Sequence, residues 1–180
     1  AGSASGARAR KRSPQPPYPR TTYSGRVTAG GYSGRALVVD VGSATAEPLP
    51  LDDAVLRAYL GGVGLGTWLL HALSPDLVDP LDPAAPLAFV FSPLVGTPLT
   101  TSAKFAVVAT SPLTGLLTDA LASSRFAIAG KLTGNDAIVL RGRADVLSAV
   151  LVDADGVRVE PVPELAGLSA ADAEAACKER

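Results

Sequence analysis

The chain is poor in the residues on which most small chemistry-bearing folds depend. Its 180 residues include one Cys, one His, one Trp and no Met, and only 5% are aromatic. The single thiol, Cys177, excludes an internal disulfide. It also excludes an iron–sulfur cluster ligated wholly by this chain, because such clusters need several thiolates. So low a cysteine count fits a reducing compartment, and a cytoplasmic location is the expectation. His71 has no second His or Cys at ligand spacing and does not mark a metal site. No apolar run approaches the ~18 residues of a membrane helix, so no membrane partner is expected. A Walker loop, an H-E-x-x-H pair and a Ser-His-Asp arrangement are all absent.

Acidic residues are missing from one region. Residues 1–30 carry Arg8, Arg10, Lys11, Arg12, Arg20 and Arg26 with no acid, while all 17 acids lie further on. Pro14, Pro16, Pro17 and Pro19 crowd the same stretch, which has no apolar periodicity. Such a segment cannot bury enough surface to offset its ordering entropy, so residues 1–30 read as a disordered basic tail. Nucleic-acid binding would rest on that tail alone, because the remainder is acidic, and it is not expected. The lack of Met and the Cys177-Lys-Glu-Arg180 ending inside an apparent helix suggest a piece of a longer protein.

What is present is enough apolar residue, 47% of the chain, for one real core. Folded structure is predicted from residue 31 to 180. Arg35–Val41 is β-branched and reads as a strand, with Thr45–Pro50 as a hairpin partner. Asp52 and Asp53 open a helix through Leu60, Gly61–Gly66 interrupts it, and Thr67–Leu73 continues it. Leu87–Phe91 and Lys104–Ala109 are short strands; a Ser-Pro turn and a Gly-containing loop follow, then a helix from Ser124 to Leu132. Ala137–Leu140 is a strand, Ala149–Val152 and Val157–Val159 form a hairpin, and Ser169 caps a last Ala-rich helix with Asp172 as its capping-box acid. Short strands in hairpins with few helices between them indicate an α+β fold.

Several segments could carry chemistry, and each also has a purely structural reading. Gly61–Gly66 is rich in glycine, yet its spacing is G-G-x-G-x-G and it follows a helix, whereas a dinucleotide loop follows a strand. The structural reading is that the glycines let two helices turn and pack closely. Lys104, at a strand start, is in itself a solvated charge. Ser123 or Ser124 reads as a helix N-cap, and the same geometry offers backbone N–H groups to an anion. Ser92-Pro-Leu-Val-Gly96 and Ser111-Pro-Leu-Thr-Gly115 end two strands alike, which suggests duplicated β-units. Asp119 reads as a turn or capping carboxylate. Trp68 reads as core or interface, and Cys177 as an exposed helix residue.

Three ordered motifs add more: F-S-P-L-V-G-T-P from Phe91, V-V-A-T-S-P-L-T-G from Val107, and F-A-I-A-G-K-L-T-G-N-D-A-I-V-L-R-G from Phe126. With Y-L-G-G-V-G-L-G from Tyr59, they make residues 31–180 resemble the N-terminal domain of the aldehyde ferredoxin oxidoreductases. The resemblance implies two packed, mostly antiparallel β-sheets with flanking helices, forming the base of a tungsten or molybdenum bis-pyranopterin. It implies oxidation of an aldehyde, with electrons leaving through a [4Fe–4S] cluster to ferredoxin. The cluster ligands would lie in C-terminal domains of the same polypeptide, so the 180 residues alone would be inactive; a homodimer is one assembly it allows.

The same resemblance assigns cofactor contact to Lys104, Leu121, Ser123 and Ser124, and matches Asp119 to an acid common in the family. This sequence departs from the family pattern at four places. Val63 stands where a basic residue is usual, Lys104 where Arg is common, Leu121 where Asn is frequent, and Ser123-Ser124 where glycines are frequent. A Lys keeps the positive charge of Arg but not its bidentate fork. Two other readings stay open: a scaffold domain that has lost the cofactor, and a nucleotide-dependent enzyme using Gly61–Gly66.

Overall fold

The computed structural model describes residues 31–74, 78–153 and 156–178. The tail expected over residues 1–30 lies outside the described residues. Among the described residues, eight strands and four α-helices follow in the order β1 (Arg35–Asp40), β2 (Thr45–Pro50), α1 (Asp53–Tyr59), α2 (Gly62–Leu73), β3 (Leu87–Phe91), β4 (Lys104–Thr110), β5 (Leu117–Ser123), α3 (Arg125–Leu132), β6 (Ala137–Arg141), β7 (Ser148–Asp153), β8 (Gly156–Pro161) and α4 (Ala170–Lys178).

Six strands make one sheet in the order β2-β1-β6-β3-β4-β5, and β7-β8 make a second, two-stranded one. Every pairing is antiparallel except β1 with β6. Strand alternation splits the large sheet into two apolar faces. Ala36, Val38, Ala88, Val90, Ala106, Val108, Ala137 and Val139 point to one face and bury Leu56 of α1 and Leu65, Leu69 and Leu70 of α2. Val39, Phe91 and Ile138 point to the other, where Val150, Val152, Val157 and Val159 of the small sheet pack. The α+β architecture of two packed, mostly antiparallel sheets with flanking helices is therefore present, the second sheet being a ribbon. The two Ser-Pro turns follow β3 and β4, which are antiparallel neighbours, and so lie at opposite ends of the sheet.

Two predicted features take a different form. The interruption expected over Gly61–Gly66 is confined to Leu60–Gly61: α1 ends at Tyr59 and α2 begins at Gly62. The helix survives its glycines because packing outweighs their propensity cost of about 1 kcal/mol each. At Gly66 a Cβ would stand 2.5 Å from Cγ2 of Val108, so glycine lets α2 lie directly on β4. The segment read as a loop after Gly115 is strand β5, paired along its whole length with β4. Asp119 consequently sits mid-strand opposite Val108, not in a turn or cap.

At the start of β6, Asp136 fastens three parts of the chain. Its buried carboxylate accepts from the Ser33 amide at 2.9 Å, the Gly34 amide at 2.7 Å and the ammonium of Lys131. Its own amide donates to Arg35 at 2.8 Å, and its carbonyl accepts from Phe91 at 2.9 Å. Tyr32 lies over Lys131, its centroid 5.9 Å from Nζ, and burial and the Asp136 charge raise the Tyr32 pKa.

Asp40, at the end of β1, accepts from the amides of Gly42 at 3.0 Å and Ser43 at 3.1 Å, with Arg141 at 3.5 Å. The Ser43 and Gly42 bonds, with a contribution from Arg141, hold its carboxyl below the usual range. A depressed carboxyl stabilises the fold above its unfolded pKa, about 4, and that contribution is lost as pH falls through the folded value. Urea midpoints measured from pH 6 to pH 3 should therefore fall more steeply for the wild type than for Asp40→Asn. Parallel curves would mean that the turn does not report this carboxyl.

Candidate functional site

Three of the four sequence-predicted residues, Lys104, Leu121 and Ser123, meet at one end of the β3–β4–β5 hairpins, on the face that carries α2. In the β4–β5 ladder Lys104 is opposite Ser123, and Ala106 is opposite Leu121. With a period of two, Lys104, Ala106, Leu121 and Ser123 share that face. The Lys104 ammonium donates to the Ser123 hydroxyl at 2.7 Å. Leu121, 68% exposed, points into an open cleft of about 250 Å³. Leu60, Gly61 and Gly62 line its helical side, and Val90, Ser92, Pro93, Lys104 and Ala106 line its sheet side.

Helix α2 opens onto this cleft. Its N-cap, Gly61, has no side-chain cap, so no side chain competes for the amides of the first turn. Gly61 and Gly62, at the positive end of the helix dipole, line the same cleft as Lys104. Apolar walls from Leu60, Pro93 and Leu121 complete the cleft. This arrangement suits a ligand with an anionic end and a flat, partly apolar body.

Ser124 does not join it. Its hydroxyl accepts from the Phe126 amide at 3.1 Å as the N-cap of α3. That cap starts the helix where Phe126 can pack against Phe105, Phe89 and Phe91, with centroids 5.0, 5.8 and 5.9 Å away, on the opposite face of the sheet. Ser123 reaches the cleft through Lys104. Val63, at the position usually basic in the family, is half-buried against the core and gives the cleft no charge.

Sequence reasoning missed Gly61, Gly62 and Pro93 as cleft wall, because the glycines read as an interruption and the proline as a turn. The signal that could have paired Lys104 with Ser123 is symmetry: both lie at equal distance from the Ser-Pro turn of a tight hairpin. Asp119 is on the same strand face but does not line the cleft. His71 borders a separate crevice at the far end of α2, and Cys177 is exposed. Among the described residues, no three His, Cys, Asp or Glu side chains gather closely enough to hold a metal ion.

Residues 36–180 match the family described as "Aldehyde ferredoxin oxidoreductase, N-terminal domain". The chain belongs to that family. It is 30% identical over 149 residues to the tungsten-containing aldehyde ferredoxin oxidoreductase of Pyrococcus abyssi, covering 83% of this chain and 24% of that protein. The Pyrococcus furiosus enzyme of the same name is 30% identical over 145 residues, covering 81% of this chain and 24% of its own length. Among solved structures, the active-site complex BamBC of benzoyl-coenzyme A reductase with 1,5-dienoyl-CoA superposes with a TM-score of 0.78 at 28% identity. That match covers 83% of this chain and 23% of the other. The chain thus spans about a quarter of the length of the relatives it matches. The family is one of oxidoreductases. Among the described residues, no helix is long and apolar enough to cross a membrane.

Proposed function

We propose that this chain is the cofactor-holding N-terminal domain of a cytoplasmic tungsten or molybdenum bis-pyranopterin oxidoreductase that converts aldehydes to carboxylic acids, with electrons leaving through a [4Fe–4S] cluster to ferredoxin. The observation that carries the proposal is the convergence of Lys104, the uncapped start of α2 and the apolar side chain of Leu121 on one cleft. The metal, held by pyranopterin sulfurs, would supply two-electron chemistry, and soft thiolate ligands suit that task.

The residues present fit the phosphate-bearing end of such a cofactor. Lys104 gives a cation to an anion, while Ser123 holds that cation toward the cleft. The Gly61 amide donates to the Tyr59 carbonyl at 2.7 Å, so backbone donors at this corner begin with Gly62, with no side chain in the way. Leu60, Pro93 and Leu121 would shield one face of the cofactor's ring system from water. Leu121 cannot donate or accept, so recognition on this wall is by shape and charge. Reaction steps that move protons would use side chains of other domains. The names of the matched relatives support the aldehyde as substrate class, although one at 28% identity over 140 residues is an aliphatic sulfonate oxidoreductase subunit from Pyrococcus furiosus.

The test is to express the complete coding sequence and determine tungsten, molybdenum and extractable pterin in the purified protein. Stoichiometric metal with pterin is the expected result; protein free of both would favour the scaffold reading. Lys104→Ala should leave thermal stability nearly unchanged, since Lys104 is exposed. It should weaken retention of the cofactor by about 1.5 kcal/mol or more, roughly tenfold. Unaltered retention would remove Lys104 from the site.

A further inference from the structure

The large sheet has a second recess, on the face away from the cofactor cleft. Its volume is about 550 Å³, and it lies between β1–β2, the C-terminal end of α3 and the β7–β8 ribbon. Leu37 and Pro48, directly opposite each other in the β1–β2 ladder, form its floor. Leu132 of α3 forms one wall, and Val152 and Val157 of the ribbon form the other. Leu132 is 48% exposed, so the recess keeps apolar surface that no described residue covers.

Arg35 gives this apolar recess a cation. It stands two residues before Leu37 on β1, so its side chain lies on the same face of the sheet. Its Nε donates to the Gly134 carbonyl at 2.9 Å. Gly134 makes room for it, since a Cβ there would stand 3.1 Å from a terminal nitrogen of Arg35. The bond to Gly134 fixes the plane of the guanidinium and uses one of its five N–H donors. The others make no hydrogen bond among the described residues.

The charges around the recess decide what Arg35 can take. A free guanidinium edge matches a carboxylate, which accepts two parallel bonds. Asp153 also lines the recess, but it is held by Arg158 at 3.0 Å, which leaves one cation for one negative charge. The negative end of the α3 dipole, at Leu132 and Thr133, weighs further against a multiply charged anion such as phosphate.

We infer that this recess is a binding site for an amphipathic monocarboxylate. The carboxylate sits on Arg35, and the apolar body lies along Leu37, Pro48, Leu132, Val152 and Val157. The site goes beyond the proposed function and does not depend on it, because Arg35 and Lys104 are on opposite faces of the sheet.

Equilibrium dialysis of labelled octanoate against the product of the complete coding sequence tests this. One saturable site is expected. Octanol, which has the body without the charge, and acetate, which has the charge without the body, should each compete at least about tenfold more weakly. Arg35→Gln should weaken octanoate at least about tenfold. Leu132→Glu should do the same with Arg35 in place, because it sets a like charge beside the carboxylate. Leu132 is half exposed on α3, so that variant keeps the fold. Lys104→Ala should bind octanoate as the wild type does. Binding lost with Lys104→Ala and kept with Arg35→Gln would place the carboxylate in the cofactor cleft and overturn the inference. Uptake that does not saturate, or that neither Arg35→Gln nor Leu132→Glu weakens, is adsorption to apolar surface and overturns it as well. So does the absence of any octanoate binding.

Discussion

Replacing Asp136 with Ala should destabilise the domain by about 3–5 kcal/mol, the largest loss expected from any single side chain here. Asp136 is 1% exposed, and its neighbour Lys131 is 8% exposed. Removal of the carboxylate leaves an ammonium buried without its anion, and orphans the amides of Ser33 and Gly34 as well. The loss is not mere packing, and a second substitution separates the parts. Lys131→Met removes the stranded charge, while Asp136→Asn keeps an oxygen for the two amides. The double variant Lys131→Met, Asp136→Asn should therefore recover most of the stability that Asp136→Ala loses, because a well-packed neutral pair can match a buried ion pair. Urea midpoints of the wild type, Asp136→Ala and the double variant decide it. A cost below about 1 kcal/mol for Asp136→Ala would falsify the buried-pair account, because it is what an exposed pair costs.

Asp136 also shows what a sequence conceals. Its partner Lys131 lies on the preceding helix, and its amide partners lie a hundred residues earlier, so no local pattern joins them. The strands were legible where burial imposes alternation or an apolar run. Leu87–Phe91 is buried on one face and half-buried on the other and was readable to the residue, and the β1–β2 and β7–β8 hairpins were readable from their turns. β5 was not. Leu-Thr-Asp-Ala-Leu-Ala-Ser has weak strand propensity, and exposure on both faces erases the alternation that marks a half-buried strand. Only its tight turn with β4 makes it a strand, the Ser111 amide donating to Leu116 at 2.8 Å and the Gly115 amide to Ser111 at 2.8 Å. The site was legible to the same extent. Motifs located Lys104, Leu121 and Ser123, whereas the Gly61–Gly62 wall came from helix packing at long range. Ser124, assigned to the cofactor by resemblance, has its hydroxyl in the α3 cap.

Gly130→Ala should also destabilise, by about 2 kcal/mol, although helix propensity alone predicts a gain of about 1 kcal/mol. Gly130 lies inside α3 with the ring of Phe91 against its backbone. A Cβ there would stand 2.0 Å from Cζ and 2.4 Å from Cε1. The ring has no room to withdraw: Phe91 is 1% exposed and Phe126 stands 5.9 Å from it. Helix α3 must then lift from the sheet, and it would draw Lys131 away from Asp136 and pull on Ser124 at its N-terminus. Ser123, one residue earlier, holds Lys104, so the disturbance reaches the cleft. Phe91→Leu removes the ring atoms that clash. In that background Gly130→Ala should become neutral or stabilising, a coupling of about 2 kcal/mol or more, expected only for residues in contact. If Gly130→Ala alone raised the melting temperature, helix propensity would outweigh the contact, and α3 would have to sit more loosely on Phe91 than these distances allow.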